Sequence, residues 1–318
     1  MFKKKKFWII LFSIILVLFV SISAFAGNFL VDYAITVDEA GNIGSMGNEK
    51  YTGIQDTKAQ KDYDKWVKDI KTDVWIENNE EGLSLWSRFY ENNKDSHKYI
   101  LAIHGYTVDN RDIAPAIKPF YEKGYHVLTP DQRGRGHSEG KYLGMGYFEK
   151  NDVVMWVNKI VEKDPQAEII LYGESMGAAT VMMASGEKLP KNVLAVIEDC
   201  GYTTAYEMFK DQLKERFSLP EFPFLPAAQV FAKVRAGFNF SDASAIDQIK
   251  KTKLPILFIH GDSDDYVPTR MGLELYNSYK GPKELLIIKG AGHGASADVD
   301  PDKYYNTIFH FIDTYVDK

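Results

Sequence analysis

The first apolar segment of the chain is continuous rather than periodic. Residues 7–26 form a run of twenty without a charged side chain, directly after four lysines at positions 3–6. At about 1.5 Å per residue, a helix of this length spans the roughly 30 Å hydrocarbon layer of a membrane. A buried helix of a soluble protein fits poorly, since the apolar residues cover all faces. The pattern predicts a transmembrane segment over 1–31, with the lysines cytoplasmic and the remainder exported.

A second interpretation of the N-terminus remains open. Ala24-Phe25-Ala26 before Gly27 resembles the cleavage site of a signal peptide. Uncharged residues nevertheless continue to Val31, which is longer than the roughly 7–15 apolar residues of a signal peptide and favours an uncleaved anchor. We therefore expect a single-pass membrane protein with its main domain outside the cell, and cleavage near Ala26 would instead give a secreted protein.

Beyond the anchor, strand-like and helical patterns alternate. Residues 32–72 are polar and broken early by glycines, which predicts a stalk and a short helix. Two apolar runs around 78–82 indicate a hairpin, and residues 153–161 carry apolar side chains at helical spacing. Further strands are predicted at 99–103, 125–128, 168–172, 193–197, 255–260 and 284–288. This alternation predicts an α/β fold over 73–318, with a mostly parallel, doubly wound sheet of about eight strands.

One connection is too long for a simple crossover. More than fifty residues separate the strand ending near Asp199 from the one starting at Pro255, where a crossover helix needs far fewer. The interval contains two helical stretches, roughly 203–217 and 227–237, joined by a segment rich in proline and phenylalanine. We interpret residues 201–253 as a small helical lid over the carboxyl edge of the sheet.

Charge and cysteine content exclude several classes of function. The formal net charge is −6, but residues 32–318 carry 34 basic against 44 acidic side chains. Such a domain is not suited to nucleic acid as a partner. A single cysteine, Cys200, excludes an intramolecular disulfide framework and a multi-cysteine zinc site, and its apolar surroundings predict a buried thiol. Motifs for metals and nucleotide cofactors are absent from the sequence, so we expect neither.

The most informative motif is Gly173-Glu174-Ser175-Met176-Gly177. It lies between a short apolar strand and a helix rich in small residues. A reactive serine at such a turn needs a strained backbone, and glycines two residues away keep Cβ atoms from the packed strand and helix. Ser175 is therefore the candidate nucleophile, the alternative being a turn with an incidental serine. The backbone N–H groups of Met176 and Tyr106 are the expected oxyanion donors.

A nucleophilic serine needs an adjacent base, which is usually histidine. Of the seven histidines, His293 follows the last predicted strand in a glycine-rich loop. Catalytic groups of open α/β sheets collect at this edge, so His293 is the candidate base. His137, in the loop after the fourth strand, is the alternative.

The acid that orients the base should lie between Ser175 and His293 in the chain. Asp264, in the loop after residue 260, is the first choice. Asp199, one strand earlier, is the second. Asp262 and Asp265 are expected to make only local turn contacts.

These residues together resemble the α/β-hydrolase superfamily, over about residues 70–317. The motifs that carry the resemblance are His104-Gly105, Asp131-x-Arg133-Gly134-x-Gly136-x-Ser138, the turn at 173–177, His260-Gly-x-x-Asp264-x-x-Val-Pro268 and Gly292-His293. The turn and the lid motif Phe-Pro-x-Leu-Pro look like a group of Gram-positive bacterial hydrolases near the serine aminopeptidase and prolyl-oligopeptidase-like branches. By motif position the resemblance implies Ser175, Asp264 and His293, and it implies no substrate.

The sequence thus predicts an exported serine hydrolase that forms an acyl-enzyme on Ser175. Its substrate is expected to be a small ester, an amide or a peptide, with an ester favoured because lid residues such as Phe217, Phe222 and Phe224 offer an apolar pocket. A peptidase is the alternative. An inactive binding module on the same fold is the alternative of another class.

Overall fold

The chain begins with one long helix that continues into the main domain. The computed structural model describes residues 2–38, 43 and 58–316, and α1 spans Phe2–Ala34. The helix is almost fully exposed as far as Ile22, whereas Val31, Ala34 and Ile35 are buried in the core. The helix thus continues three residues beyond the predicted boundary at residue 31, and its last turn packs against apolar residues of the domain. The division into anchor, stalk and domain stays a prediction. Most of the predicted stalk, 39–42 and 44–57, lies outside the described residues.

A single eight-stranded sheet forms the centre of the domain. Its strands are β1 Thr72–Asn78, β2 Ser84–Tyr90, β3 Lys98–Ile103, β4 His126–Pro130, β5 Glu168–Glu174, β6 Val193–Asp199, β7 Ile256–Gly261 and β8 Lys283–Ile288. They lie in the order β1-β2-β4-β3-β5-β6-β7-β8. The β1–β2 and β2–β4 pairs are antiparallel, and all other pairs are parallel. This confirms the predicted α/β fold with a mostly parallel sheet.

Helices cover both faces of the sheet. They are α2 Lys58–Trp66, α3 Asn110–Glu122, α4 Glu149–Lys163, α5 Met176–Ser185, α6 Ala205–Phe217, α7 Glu221–Ala236, α8 Ala245–Gln248, α9 Thr269–Ser278, α10 Ser296–Val299 and α11 Pro301–Tyr315. Helices α2, α3 and α11 contribute to the apolar core on one face, and α4, α5 and α9 to the core on the other. Since both faces are covered, the central strands are almost continuously buried.

The lid consists of α6 and α7, between β6 and β7. The predicted start of its second helix near residue 227 is late. Phe222 keeps an extended backbone, with φ −91° and ψ 133°, and regular helix follows from Pro223. Proline is well tolerated in the first turn of a helix, where N–H groups have no helical acceptor. α7 then packs along α1, and a Cβ on Gly27 would lie 2.7 Å from the carbonyl carbon of Ala227.

Candidate active site

Ser175 lies at a sharp turn between β5 and α5. Its backbone has φ 56° and ψ −117°, a conformation that residues with side chains rarely adopt. The N–H of Ser175 donates to the carbonyl of Asp199 at 2.8 Å, and its own carbonyl accepts from the N–H of Ala179 at 3.1 Å. Hydrogen bonds on both sides of the turn therefore hold the strained residue in place.

The two flanking glycines are required by close backbone packing. A Cβ at Gly173 would collide with the carbonyl of Gly177, and a Cβ at Gly177 would collide with the carbonyl oxygen of Ile103. Glycine thus allows the N-terminus of α5 to sit directly against β3 and β5. This contact fixes where the Ser175 hydroxyl emerges from the carboxyl edge of the sheet.

The structure brings together three residues that are far apart in the chain. His293 Nε2 lies 2.8 Å from Ser175 Oγ, and His293 Nδ1 lies 2.8 Å from Asp264 Oδ2. Ser175 follows β5, Asp264 follows β7 and His293 follows β8. These strands end at the same edge of the sheet because they are parallel. A carboxylate bound to Nδ1–H leaves Nε2 as the acceptor, so His293 is oriented to take a proton from Ser175.

Asp264 is held as a carboxylate by its surroundings. Its Oδ1 accepts the N–H groups of Tyr266 at 3.0 Å and Val267 at 2.9 Å, and its Oδ2 lies 3.3 Å from His260 Nε2. Burial alone would raise the pKa of Asp264, but hydrogen bonds from His260 and His293 outweigh it and hold the pKa well below the ordinary value. The residue therefore keeps its charge next to His293.

The alternative acid and the alternative base have other partners. Asp199 is buried, and its Oδ1 accepts from Ser296 Oγ at 3.3 Å. Burial raises the pKa of Asp199 to about 6. The exposed ring of His137 stacks on Trp86 with centroids 4.7 Å apart, and its Nδ1 lies 3.1 Å from Asp131. Asp199 contacts Ser175 only through its backbone carbonyl, and among the described residues neither the Asp199 nor the His137 side chain is hydrogen-bonded to the side chains of Ser175 and His293.

The loop after β3 lies beside the serine, where an oxyanion donor was predicted. A Cβ on Gly105 would lie 3.5 Å from Ser175 Cβ. His104 shapes this loop: its Nε2 accepts the N–H of Gln132 at 2.9 Å, and its Nδ1 lies 2.7 Å from the Gly105 carbonyl. Burial lowers the pKa of His104, so the ring is neutral. The next residue is Tyr106, and on the other side Met176 begins α5, where N–H groups have no helical acceptor.

The three lid phenylalanines have different positions. Phe217 lines a narrow apolar cavity and packs edge-on against Tyr33 of α1, with ring centroids 5.1 Å apart. Phe224 is partly buried against the core. Phe222 is 68% exposed and lies near Phe19 of α1, at 6.2 Å between centroids. Of the three, Phe217 alone is among the residues that line this cavity, and a role of Phe217, Phe222 and Phe224 in substrate binding stays a prediction.

Two further residues contact the site. The ring of Tyr266 packs against His293 with centroids 4.9 Å apart, and His260 Nε2 contacts both Asp264 and, at 2.8 Å, the carbonyl of Val267. In the sequence, His260 stands out only as part of the motif that ends at Pro268, and Tyr266 only by its position two residues after the candidate acid.

One cluster has the residue types of a metal site. Cys200, Asp264 and His293 each have one ligand atom within 4.8 Å of the others. Burial raises the pKa of the Cys200 thiol well above its ordinary value, whereas a metal binds the thiolate. Both nitrogens of His293 already face Ser175 and Asp264. These three residues are therefore poorly suited to hold a metal ion.

Comparison with known proteins agrees with this architecture. Residues 94–199 match the family model described as serine aminopeptidase, S33. The uncharacterized protein YqkD of Bacillus subtilis is 32% identical over 224 residues, which are 70% of this chain and 73% of that protein. The uncharacterized protein YfhR of Escherichia coli K12 is 25% identical over 215 residues, covering 67% and 69% of the two chains.

Solved structures match over most of the chain. The Pyrococcus furiosus esterase Pf2001 has a TM-score of 0.63 and 21% identity, covering 82% of this chain and 97% of that one. The Pyrococcus horikoshii acylaminoacyl peptidase has a TM-score of 0.59 and 18% identity, covering 80% of this chain but only 44% of the peptidase. At these identities the likeness concerns the fold.

Proposed function

Since the chain belongs to the α/β-hydrolase superfamily, we propose that it is a serine hydrolase that cleaves an ester or an amide through an acyl-enzyme on Ser175. The observation that carries the proposal is the continuous line of hydrogen bonds from Asp264 through His293 to Ser175, with both distances at 2.8 Å. This is the arrangement in which histidine activates a serine hydroxyl.

In the first half-reaction, Ser175 Oγ forms a bond to the substrate carbonyl carbon as its proton moves to His293 Nε2. The carbonyl oxygen becomes an oxyanion, which the backbone N–H groups of Tyr106 and Met176 are proposed to bind. Asp264 stabilises the protonated imidazole. Collapse breaks the bond to the leaving group, which takes the proton from His293.

In the second half-reaction, water attacks the acyl-enzyme. His293 accepts a proton from the water as its oxygen bonds to the acyl carbon, and returns that proton to Ser175 Oγ when the carboxylic acid leaves. Neither half-reaction requires a redox partner or a group other than substrate and water.

The nucleophile is tested with a fluorophosphonate probe, which labels activated serines covalently. The full chain should be labelled, and Ser175→Ala should abolish labelling. Ser263→Ala is a matched control, because Ser263 is exposed on the loop that carries Asp264. Labelling that persists in Ser175→Ala would exclude this nucleophile. A folded wild-type chain that is not labelled would favour the inactive binding module instead.

Peptide-bond cleavage is the second candidate, and the match to the S33 serine aminopeptidase family favours it. We prefer an ester because the cavity between the end of α1 and the lid is lined mainly by apolar side chains. A side-by-side measurement of kcat/KM on p-nitrophenyl esters and aminoacyl p-nitroanilides separates the two. Faster turnover of the anilides would identify a peptidase.

We further propose that α1 anchors the hydrolase in a membrane with the catalytic domain outside the cell. The part of α1 from Lys4 has a mean hydropathy of 2.9 in its most apolar window, with 6% of that window buried. The lysines before residue 7 favour a cytoplasmic N-terminus. Protease added to intact cells should digest the domain and leave the N-terminal tail protected. A soluble form beginning near Gly27 would instead indicate cleavage and secretion.

A further inference from the structure

The lid helix α7 lies parallel to α1, in a register that three contacts define. Phe222 is beside Phe19, Ala227 is beside Gly27, and the guanidinium of Arg235 donates to the Asp32 carboxylate at 2.5 Å. Residue numbers therefore increase in the same direction along both helices at this interface. The start of α7 is next to the apolar part of α1, and its end is next to the first charged residue after that part.

This register gives the lid a depth relative to a membrane. If the hydrocarbon layer ends near Ala26, Phe19 lies about 10 Å inside it at 1.5 Å per residue. Phe222 is at the same level as Phe19 and 68% exposed. Its neighbour Glu221 accepts a hydrogen bond from Tyr206 and lies 3.6 Å from Lys210, so its charge has partners. The exposed aromatic side chain at this level is suited to contact with lipid.

The same geometry carries α1 past the membrane and into the domain. Leu30 lies about 6 Å and Ala34 about 12 Å beyond Ala26 along the helix, while the headgroup layer is roughly 5–8 Å thick. Leu30, Tyr33 and Ala34 form one wall of the apolar cavity. The opposite wall comes from both lid helices, with Gln212 and Phe217 of α6 and Ala228 of α7, and from Phe240. The cavity is narrow: the space open to the centre of a water molecule is about 40 Å³, within about 420 Å³ of atom-free space that includes the open part.

Two tyrosines connect the cavity to the candidate active site. Tyr106, in the predicted oxyanion loop, donates its hydroxyl proton to the carbonyl of Ala34. Tyr266, which packs on His293, accepts a hydrogen bond at its carbonyl from Gln212 Nε2 at 2.8 Å. Ala34 and Gln212 both line the cavity. The cavity thus adjoins the groups around Ser175 without containing Ser175 itself.

We propose that this cavity is the acyl site of the enzyme and that it is loaded from the bilayer, so that the substrate class is a membrane-resident amphiphile carrying an acyl ester. The inference rests on the proposed serine hydrolase and adds the source of its substrate. The anchor helix supplies part of the binding wall through Leu30, Tyr33 and Ala34, which on this register lie at the level of the lipid headgroups and just beyond it. An acyl chain can then enter the cavity without crossing bulk water.

The acyl site is tested by chain-length preference on p-nitrophenyl butyrate and hexanoate. Each buried methylene can raise kcat/KM by up to about fourfold, or about 0.8 kcal/mol, so two methylenes allow up to about 15-fold in the wild type. Ala228→Phe fills the cavity and should bring the ratio close to one. Val230→Phe, on the exposed side of the same helix, should leave it unchanged. An unchanged ratio in Ala228→Phe would overturn the assignment.

Fluorophosphonate labelling separates failure of this proposal from failure of the proposed function. Ala228→Phe should still be labelled at Ser175, and an unlabelled wild type would refute the hydrolase itself. If Ala228→Phe does not fold, Leu30→Ala decides, because a wider cavity should shift preference toward longer chains. Phe25→Ala, exposed on the same helix, is its control. Equal ratios in Leu30→Ala and the wild type would exclude α1 as a wall of the site.

The membrane level of the lid is tested with a fluorescent label. Cys200 is fully buried, so Phe222→Cys can be labelled selectively with an environment-sensitive dye in the full chain. In phosphatidylcholine vesicles, doxyl-labelled lipid should quench the dye at position 222 strongly. The same dye at Leu273→Cys, on the partly exposed face of α9, should be quenched little. Equal quenching at both positions would refute loading from the bilayer.

Discussion

Replacement of the candidate acid by its amide should abolish the proton relay with little loss of fold. In Asp264→Asn, the side-chain oxygen can still accept the N–H groups of Tyr266 and Val267, now at 3.0 and 2.9 Å from Oδ1. The new amide nitrogen then faces His293 Nδ1, and two donors cannot form a hydrogen bond. His293 is expected to change tautomer, so that Nε2 carries the proton and cannot accept one from Ser175.

The expected loss of kcat is about 10⁴-fold, or about 5.4 kcal/mol of transition-state stabilisation. The free energy of unfolding should fall by only about 1–3 kcal/mol, the cost of one unsatisfied buried group. The loss is limited because His260 Nε2–H still donates a hydrogen bond to the carbonyl of Val267, at 2.8 Å. Steady-state kinetics on p-nitrophenyl esters and denaturant unfolding measure the two effects. Asp265→Asn, exposed on the same loop, is the matched control. A larger kinetic loss in Asp199→Asn than in Asp264→Asn would show that the reasoning selected the wrong carboxylate.

Two other predictions concern the turn and the buried acids. Gly177→Ala should destabilise the fold by about 1–3 kcal/mol and reduce activity, because its Cβ meets the Ile103 carbonyl. Thermal denaturation should give no such loss for Gly292→Ala, since a Cβ there has no atom of the described residues within 4 Å. Burial raises the pKa of Glu198 from 4.5 to about 8, so its contribution to stability is complete below about pH 4.5 and is lost as the pH rises through about 8. Glu198→Gln should therefore reduce the decline of Tm between about pH 5 and 9, and an equal decline in both proteins would contradict the assigned pKa.

The sheet could be predicted because its strands are buried on both faces. Runs such as 99–103 and 169–172 are apolar without interruption, and such runs between helical patterns are typical of parallel sheets. The turn at Ser175 was equally readable, since the close approach to Ile103 requires glycine at position 177. Both signals lie within short segments of the sequence, so a single sequence is sufficient to predict the sheet and the turn.

Other features depend on long-range packing. Three aspartates in one loop were available as the acid. In the structure, the N–H groups of Tyr266 and Val267 donate to Oδ1 of Asp264, and Oδ2 of the same carboxylate faces His293 Nδ1. The catalytic roles themselves remain predictions. The docking of α1 could not be predicted, because a helix that is apolar on all faces gives no sign of which face meets lipid and which meets protein.

The chain order of the three site residues affects how the protein folds. His293 follows β8, an edge strand that pairs only with β7 among the described strands, and it lies 118 residues after Ser175. Contacts between such distant residues form late, because the entropy of closing a long loop must be offset first. A chain synthesised only as far as the end of α9 would carry the proposed nucleophile and acid, Ser175 and Asp264, without the base. Hydrolytic activity would then arise in the final stage of folding, when β8 joins the sheet, so a partly synthesised chain is expected to be inert.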